Sequence, residues 1–140
     1  MSLLRKMSQH IGWDGNLVYQ PKIEDMLGLV FTDVTESVDE LRFKCAEGTF
    51  IFSHDEECCE SVEIESVVGD LQDLVGEPLL LAEESDGETP AEYTFENEPE
   101  SYTWTFYKFA TRKGYVDVRW LGESNGYYSE RVDVKFEVAA

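Results

Sequence analysis

Three stretches near the C-terminal end decide how this chain is read: "SYTWTFYKFAT" (101–111), "GYVDVRWLG" (114–122) and "SERVDVKFEV" (129–138). Each alternates apolar and polar residues one by one, the period of a strand with one buried face. Val116, Val118 and Trp120 fall on one face of the middle stretch; Tyr115, Asp117, Arg119 and Leu121 fall on the other. In the last stretch Val132, Val134 and Phe136 point one way, and Arg131, Asp133, Lys135 and Glu137 the other. The links are "RKG" and "ESNGYYS", and Asn125-Gly126 suits the positive φ angles of a hairpin turn. The reading is a three-stranded meander.

Working upstream, "LGLVFTDVT" (27–35), "DELRFKC" (39–45), "GTFIFSH" (48–54) and "SVEIES" (61–66) carry the same strand signal between polar turns. "SVVGDLQDLVGEPLLLAEE" (66–84) differs: Leu71, Leu74 and Val75 sit at i, i+3, i+4, with Asp70 as cap and Gly76 as stop. That predicts a helix of about two turns, ended by Pro78, with a strand after it. The expected class is therefore β-rich α+β: a curved antiparallel sheet with one short helix packed on it. Residues 1–26 read as an irregular or short helical arm. Residues 27–140 read as one domain, with an acidic loop at about 83–100 that holds eight acids and no base.

At 140 residues and 42% hydrophobic content the chain can bury a core of its own. It has no run of about 18 apolar residues, and "MSLLRKMSQHIGWDG" lacks the apolar stretch of a signal peptide. Its three cysteines suit a reducing compartment, so a cytoplasmic location is expected, without membrane contact.

The formal net charge of −19 is unevenly spread. Residues 1–27 hold three bases and three acids, residues 28–100 two bases and 22 acids, and residues 101–140 six bases and five acids. Such a field repels nucleic acid, so no direct nucleic-acid binding is expected. An anionic ligand would have to find the last third.

"SHDEECCES" (53–61) is the other stretch with chemical potential, holding a histidine, two adjacent cysteines and four carboxylates. His54, Cys58 and Cys59 are the metal candidates, yet no second ligand pair stands at a recognisable spacing. The surrounding acids disfavour a thiolate, which argues against nucleophilic chemistry. A Cys58–Cys59 disulfide would be sterically strained and is not expected in a reducing cytoplasm. The stretch reads as a turn with cysteines packed inward and carboxylates in water. Phosphate-cradling glycine loops and nucleophile elbows are absent from the sequence. A non-enzymatic protein without a cofactor is the expectation.

The C-terminal third interleaves aromatics with bases, the combination that stacking on a base and pairing with phosphate require. Trp104, Phe106, Tyr127 and Tyr128 are the candidates for stacking, Lys108, Arg119 and Arg131 for phosphate, and Asn125 for a polar edge.

Taken together, "HDEECCE" (54–60), "GDLQDLVG" (69–76), "TWTFYKFATRKGY" (103–115), "VRW" (118–120) and "SNGYYSERV" (124–132) resemble a small phage and bacterial family catalogued as a domain of unknown function. The resemblance implies a phage-related origin. By analogy with phage anti-defence sponges, it suggests a homo-oligomer that sequesters a nucleotide-derived immune signal in the host cytoplasm. The alternative is an acidic protein-interaction or DNA-mimic inhibitor of a basic host defence protein.

Overall fold

The structure, a computed structural model, describes residues 3–139. Its strands are β1 (Ser8–Ile11), β2 (Leu17–Gln20), β3 (Asp33–Glu36), β4 (Leu41–Cys45), β5 (Gly48–Ser53), β6 (Ser61–Val68), β7 (Leu81–Gly87), β8 (Ser101–Thr111), β9 (Gly114–Ser124) and β10 (Asp133–Val138). They form two antiparallel sheets, one of six strands in the order β1-β2-β10-β5-β4-β3 and one of four in the order β6-β9-β8-β7.

The α+β expectation is corrected: among the described residues the only helical pieces are three single 3-10 turns, Leu3–Lys6, Ile23–Met26 and Leu71–Leu74. The fold is nearly all β. In the third turn Asp70 does cap, its side chain accepting from the Gln72 amide. The apolar spacing there is real too, with Leu74 fully buried. However, Gly69 and Gly76 both take positive φ, and Pro78 follows, so the segment has no room for a second turn. A spacing of i, i+3 serves one 3-10 turn as well as an α-helix.

The three-stranded meander is corrected as well. β8 and β9 pair along their whole length, from Ser101↔Ser124 to Thr111↔Gly114. The chain then leaves that sheet, and β10 pairs with β5 in the other, from Asp133↔Ser53 to Val138↔Gly48. Gly126 has the positive φ expected of a turn residue (93°), but no non-glycine does among the described residues. Asn125-Gly126 therefore bends the chain without building the two-residue hairpin.

The crossing places Phe136 against Phe50, ring centroids 4.9 Å apart, in the same core that β8 and β9 face. Across the two sheets Phe43 meets Phe109 at 4.8 Å and Phe52 meets Tyr107 at 5.0 Å. Each such pair contributes about 0.5–1.5 kcal/mol beyond the area it buries. The opposite faces of β8 and β9 point outward and carry the candidate site: Trp104 stands opposite Leu121, Phe106 opposite Arg119 and Lys108 opposite Asp117.

Residues 3–26, expected to be irregular or short helical, hold two of the 3-10 turns and, unexpectedly, the β1–β2 hairpin. This hairpin joins the large sheet at one position, Tyr19↔Phe136. The acidic run begins as a strand, since β7 extends to Gly87 and only residues 88–100 are loop.

The crossing segment lies hard against β9. A Cβ on Gly122 would overlap the carbonyl oxygen of Glu130. Gly122→Ala is expected to destabilise the fold by about 1–3 kcal/mol, the usual cost of overpacking, measured as a lowered urea midpoint at unchanged slope.

Candidate functional site

The outward face of the four-stranded sheet holds a groove of about 570 Å³, within the range of small-molecule sites. Phe106, Lys108, Asp117 and Arg119 line it from the sheet, and Glu83, Glu88 and Pro90 from β7 and the loop after it. Alternation puts these side chains on one face. The loop covers the next part of the face: Tyr93 packs edge-on to Trp104 at 4.9 Å, and Phe95 meets Tyr102 at 4.8 Å.

The electrostatics of the groove are settled by its own pairs. Arg119 binds both Glu65 and Glu92 and lies 5.6 Å from the Trp104 ring, and its pKa is raised chiefly by the hydrogen bond to Glu65, then by that to Glu92. Lys108 lies 3.7 Å from Asp117. The bases are thus matched by carboxylates, and Glu63, Glu83, Glu88 and Glu123 are surplus on or beside the same face.

The eight residues expected to hold a ligand are distributed over four places. Phe106, Lys108 and Arg119 share the groove. Trp104 is buried, and its indole N–H donates to Thr89 Oγ1 at 3.0 Å. It is the platform for the loop, with no open face for a base. Arg131 lines a second groove of about 470 Å³ with Glu84, Asp86, Thr103 and Thr105, on the far side of β8. Beside it the Tyr107 hydroxyl donates to Glu84 at 2.6 Å, and burial, then that bond, holds the phenol protonated. Asn125, Tyr127 and Tyr128 stay in the crossing, where Asn125 Oδ1 accepts from the Tyr127 amide at 3.0 Å and the two tyrosine rings meet edge to face.

Tyr93 and Phe95 escaped the sequence reading. The signal was present as the alternation in "EYTFE" (92–96), masked by the surrounding acids.

"HDEECCE" has an arrangement opposite to the expected one. Cys58 and Cys59 are exposed and their sulfurs are joined in a vicinal disulfide, whereas Glu60 is buried. Among the described residues no cluster of three or more His, Cys, Asp or Glu side chains is arranged to hold a metal ion. Glu60 closes its own loop, accepting from the amides of Glu57 (3.0 Å) and Cys58 (2.9 Å).

His54 Nε2 lies 2.9 Å from Glu60 Oε2, and His54 Nδ1 lies 2.8 Å from the carbonyl oxygen of Arg131. A carbonyl can only accept, and so can an ionised carboxylate. Both ring nitrogens must therefore donate, and His54 is an imidazolium. Burial opposes that charge, but the bonds to Glu60 and Arg131 and the nearby Asp133 outweigh it and raise the His54 pKa above 6.5. Burial likewise pushes Glu60 up, and the Cys58 amide, His54 and the Glu57 amide more than reverse it, lowering Glu60 from 4.5 to about 2.

"SNGYYSE" ends on a second buried carboxylate. Glu130 accepts from Thr103 Oγ1 at 2.7 Å and from Ser124 Oγ, so it ties the crossing to β8 and β9. Its neighbour Arg131 supplies the carbonyl that holds His54. The two motif loops are thus latched together through one imidazolium.

Residues 24–134 match the family model for DUF7448, a domain of unknown function, and the chain belongs to that family. No curated protein and no solved structure matches it. No helix among the described residues is long and apolar enough to cross a membrane.

The latch has a pH signature. A raised histidine pKa contributes stability that is whole below pH 6.5 and is lost as pH rises through the folded value. A lowered carboxylate pKa contributes stability that is whole above pH 4.5 and is lost as pH falls toward about 2. The pair is therefore complete between these limits. His54→Gln is expected to remove the alkaline decline in a plot of unfolding free energy against pH. A wild-type decline unchanged in the variant contradicts the assignment.

Proposed function

We propose that this is a non-enzymatic binding protein of phage origin that presents an acidic face to a basic protein partner in the host cytoplasm, as an inhibitor of host defence. The observation that carries this reading is the pairing on the outer sheet face. Arg119 and Lys108 are each engaged by carboxylates, and further glutamates remain over. A phosphate entering the groove would have to displace Glu65, Glu92 or Asp117 from a base and then face Glu83 and Glu88. A lysine- or arginine-rich surface is drawn by the surplus carboxylates there, and the excess of 20 negative charges over residues 28–100 steers it in.

A second reading is kept because one observation favours it. Phe106, Lys108 and Arg119 do converge on a groove large enough for a nucleotide. Sequestration of a cyclic nucleotide or an ADP-ribose-type signal would use Phe106 for stacking and the two bases for phosphate, with the carboxylates swung away.

The two readings part in one experiment. The chain is immobilised in bacterial lysate, the retained proteins are identified, and retention is followed against salt. The same column is run with the Glu63→Gln, Glu83→Gln, Glu88→Gln, Glu123→Gln combination. The expected result is a basic protein whose association falls steeply with salt, and at least about tenfold in the combination at low salt. Retention indifferent to both changes overturns the acidic-face reading. Calorimetric binding of a cyclic nucleotide or an ADP-ribose derivative, lost in Phe106→Ala, would establish the second reading in its place.

A further inference from the structure

Among the described residues there are four sheet edges, and three of them resist pairing with another strand. β3 carries Asp33 and Glu36, and β7 carries Glu83, Glu84 and Asp86. β6 carries Glu63 and Glu65 and has a register irregularity between Ile64 and Ser66. Charges and bulges are the usual defences of an exposed edge. β1, the fourth edge, has none of these. Its sequence is Ser8-Gln9-His10-Ile11, all four residues are exposed, and β2 lies on one side only.

The hairpin that holds β1 also displays apolar surface. Ile11 and Leu17 stand opposite each other and are both exposed, at 67% and 48%. Trp13, at the turn, is fully exposed. Beside the single Tyr19↔Phe136 pairing, the hairpin leaves open a cleft of about 490 Å³ between itself and β10. At its base, Leu3 and Met7 are buried in the core, which fixes where it projects. It lies outside the stretch that matches the family model, which begins at residue 24.

We propose that β1 is the seam of a homodimer, in which two copies add their β1 strands edge to edge in antiparallel fashion and shield Ile11, Trp13 and Leu17. Charge selects the occupant. Two copies at −19 each repel one another over most of their surface, but residues 1–27 are formally neutral, so this is where like chains can meet. A symmetric antiparallel pair is centred on one residue, because opposed side chains share a face. That residue is Gln9 or His10, and neither register opposes like charges while His10 is neutral. Both registers carry Trp13 toward residues 5–7 of the second copy, where Arg5 and Lys6 offer cations to the indole face. The seam is independent of the acidic face, which belongs to the other sheet.

The test is sedimentation of the full chain across micromolar concentrations at two salt levels, with Ile11→Lys and Trp13→Ser beside wild type. Both changes fall on exposed side chains, and unchanged melting confirms that the fold is retained. The expected result is a wild-type dimer that tightens as salt rises, since screening removes the repulsion between copies. Each variant is expected to weaken it at least about tenfold. Trp104 and Trp120 are buried, so Trp13 is the one exposed indole of the three, and its emission is expected to shift to the red as the dimer is diluted. A monomer throughout, or a dimer that both variants leave intact, overturns the proposal. The salt response also separates this contact from the acidic face, whose binding weakens as salt rises.

Discussion

Everything else in this molecule depends on the passage of the chain from β9 to β10. Nine strands precede that passage, and it adds a central strand to the large sheet beside the backbone bonds that also join the two sheets, such as that from the Ile64 amide to the Val38 carbonyl at 2.8 Å. β10 carries the C-terminal end of one sheet into the middle of the other, between β2 and β5. The passage would leave polar groups stranded at the rim of an aromatic core, which is costly unless they are paired. Two buried glutamates and one histidine supply the pairing. Glu130 holds the passage to β8 and β9, Glu60 holds the loop before β6, and His54 joins the two. The residues that look most like an active site are thus engaged in closing the fold.

With those groups engaged in structure, the surface remains to carry function, and its charge is organised by the sheets. The four-stranded sheet turns aromatic rings inward from alternate positions of β8 and β9, and outward presents a groove whose bases are neutralised by acids. The loop after β7 reinforces that balance, since Glu92 binds Arg119 while Tyr93 and Phe95 seat on the sheet. The six-stranded sheet ends in the one edge without charge. The acidic face and the uncharged edge lie on different sheets, so the two proposed contacts are compatible in one protein.

Much of the fold was legible in the sequence. Alternation put Val116, Val118 and Trp120 on one face of β9, and all three are fully buried. It also predicted a strand over residues 129–138, of which 133–138 form one, but the partner of a strand is not written in its period. Asn125-Gly126 made the nearest partner look obligatory, while the pairing of β10 with β5 depends on contacts about 80 residues apart in sequence. The helix misread has a similar origin, since Leu71 and Leu74 satisfy a turn and a helix equally. At the site, Phe106, Lys108 and Arg119 could be grouped because alternation put them on one face. Trp104 shares that face, but its cover comes from a loop with no regular structure. His54 and Glu60 were visible as chemical groups, and only the hydrogen bonds reveal that they bind backbone.

The claim at the centre is that His54 is charged because both of its partners are acceptors. Long-range proton–nitrogen spectra of the 15N-labelled protein at neutral pH, with His54→Gln for assignment, read the state of each ring nitrogen directly. The account predicts two protonated nitrogens on His54 at a pH where an ordinary histidine is largely neutral. One bare, pyridine-like ring nitrogen on His54 at that pH would contradict it.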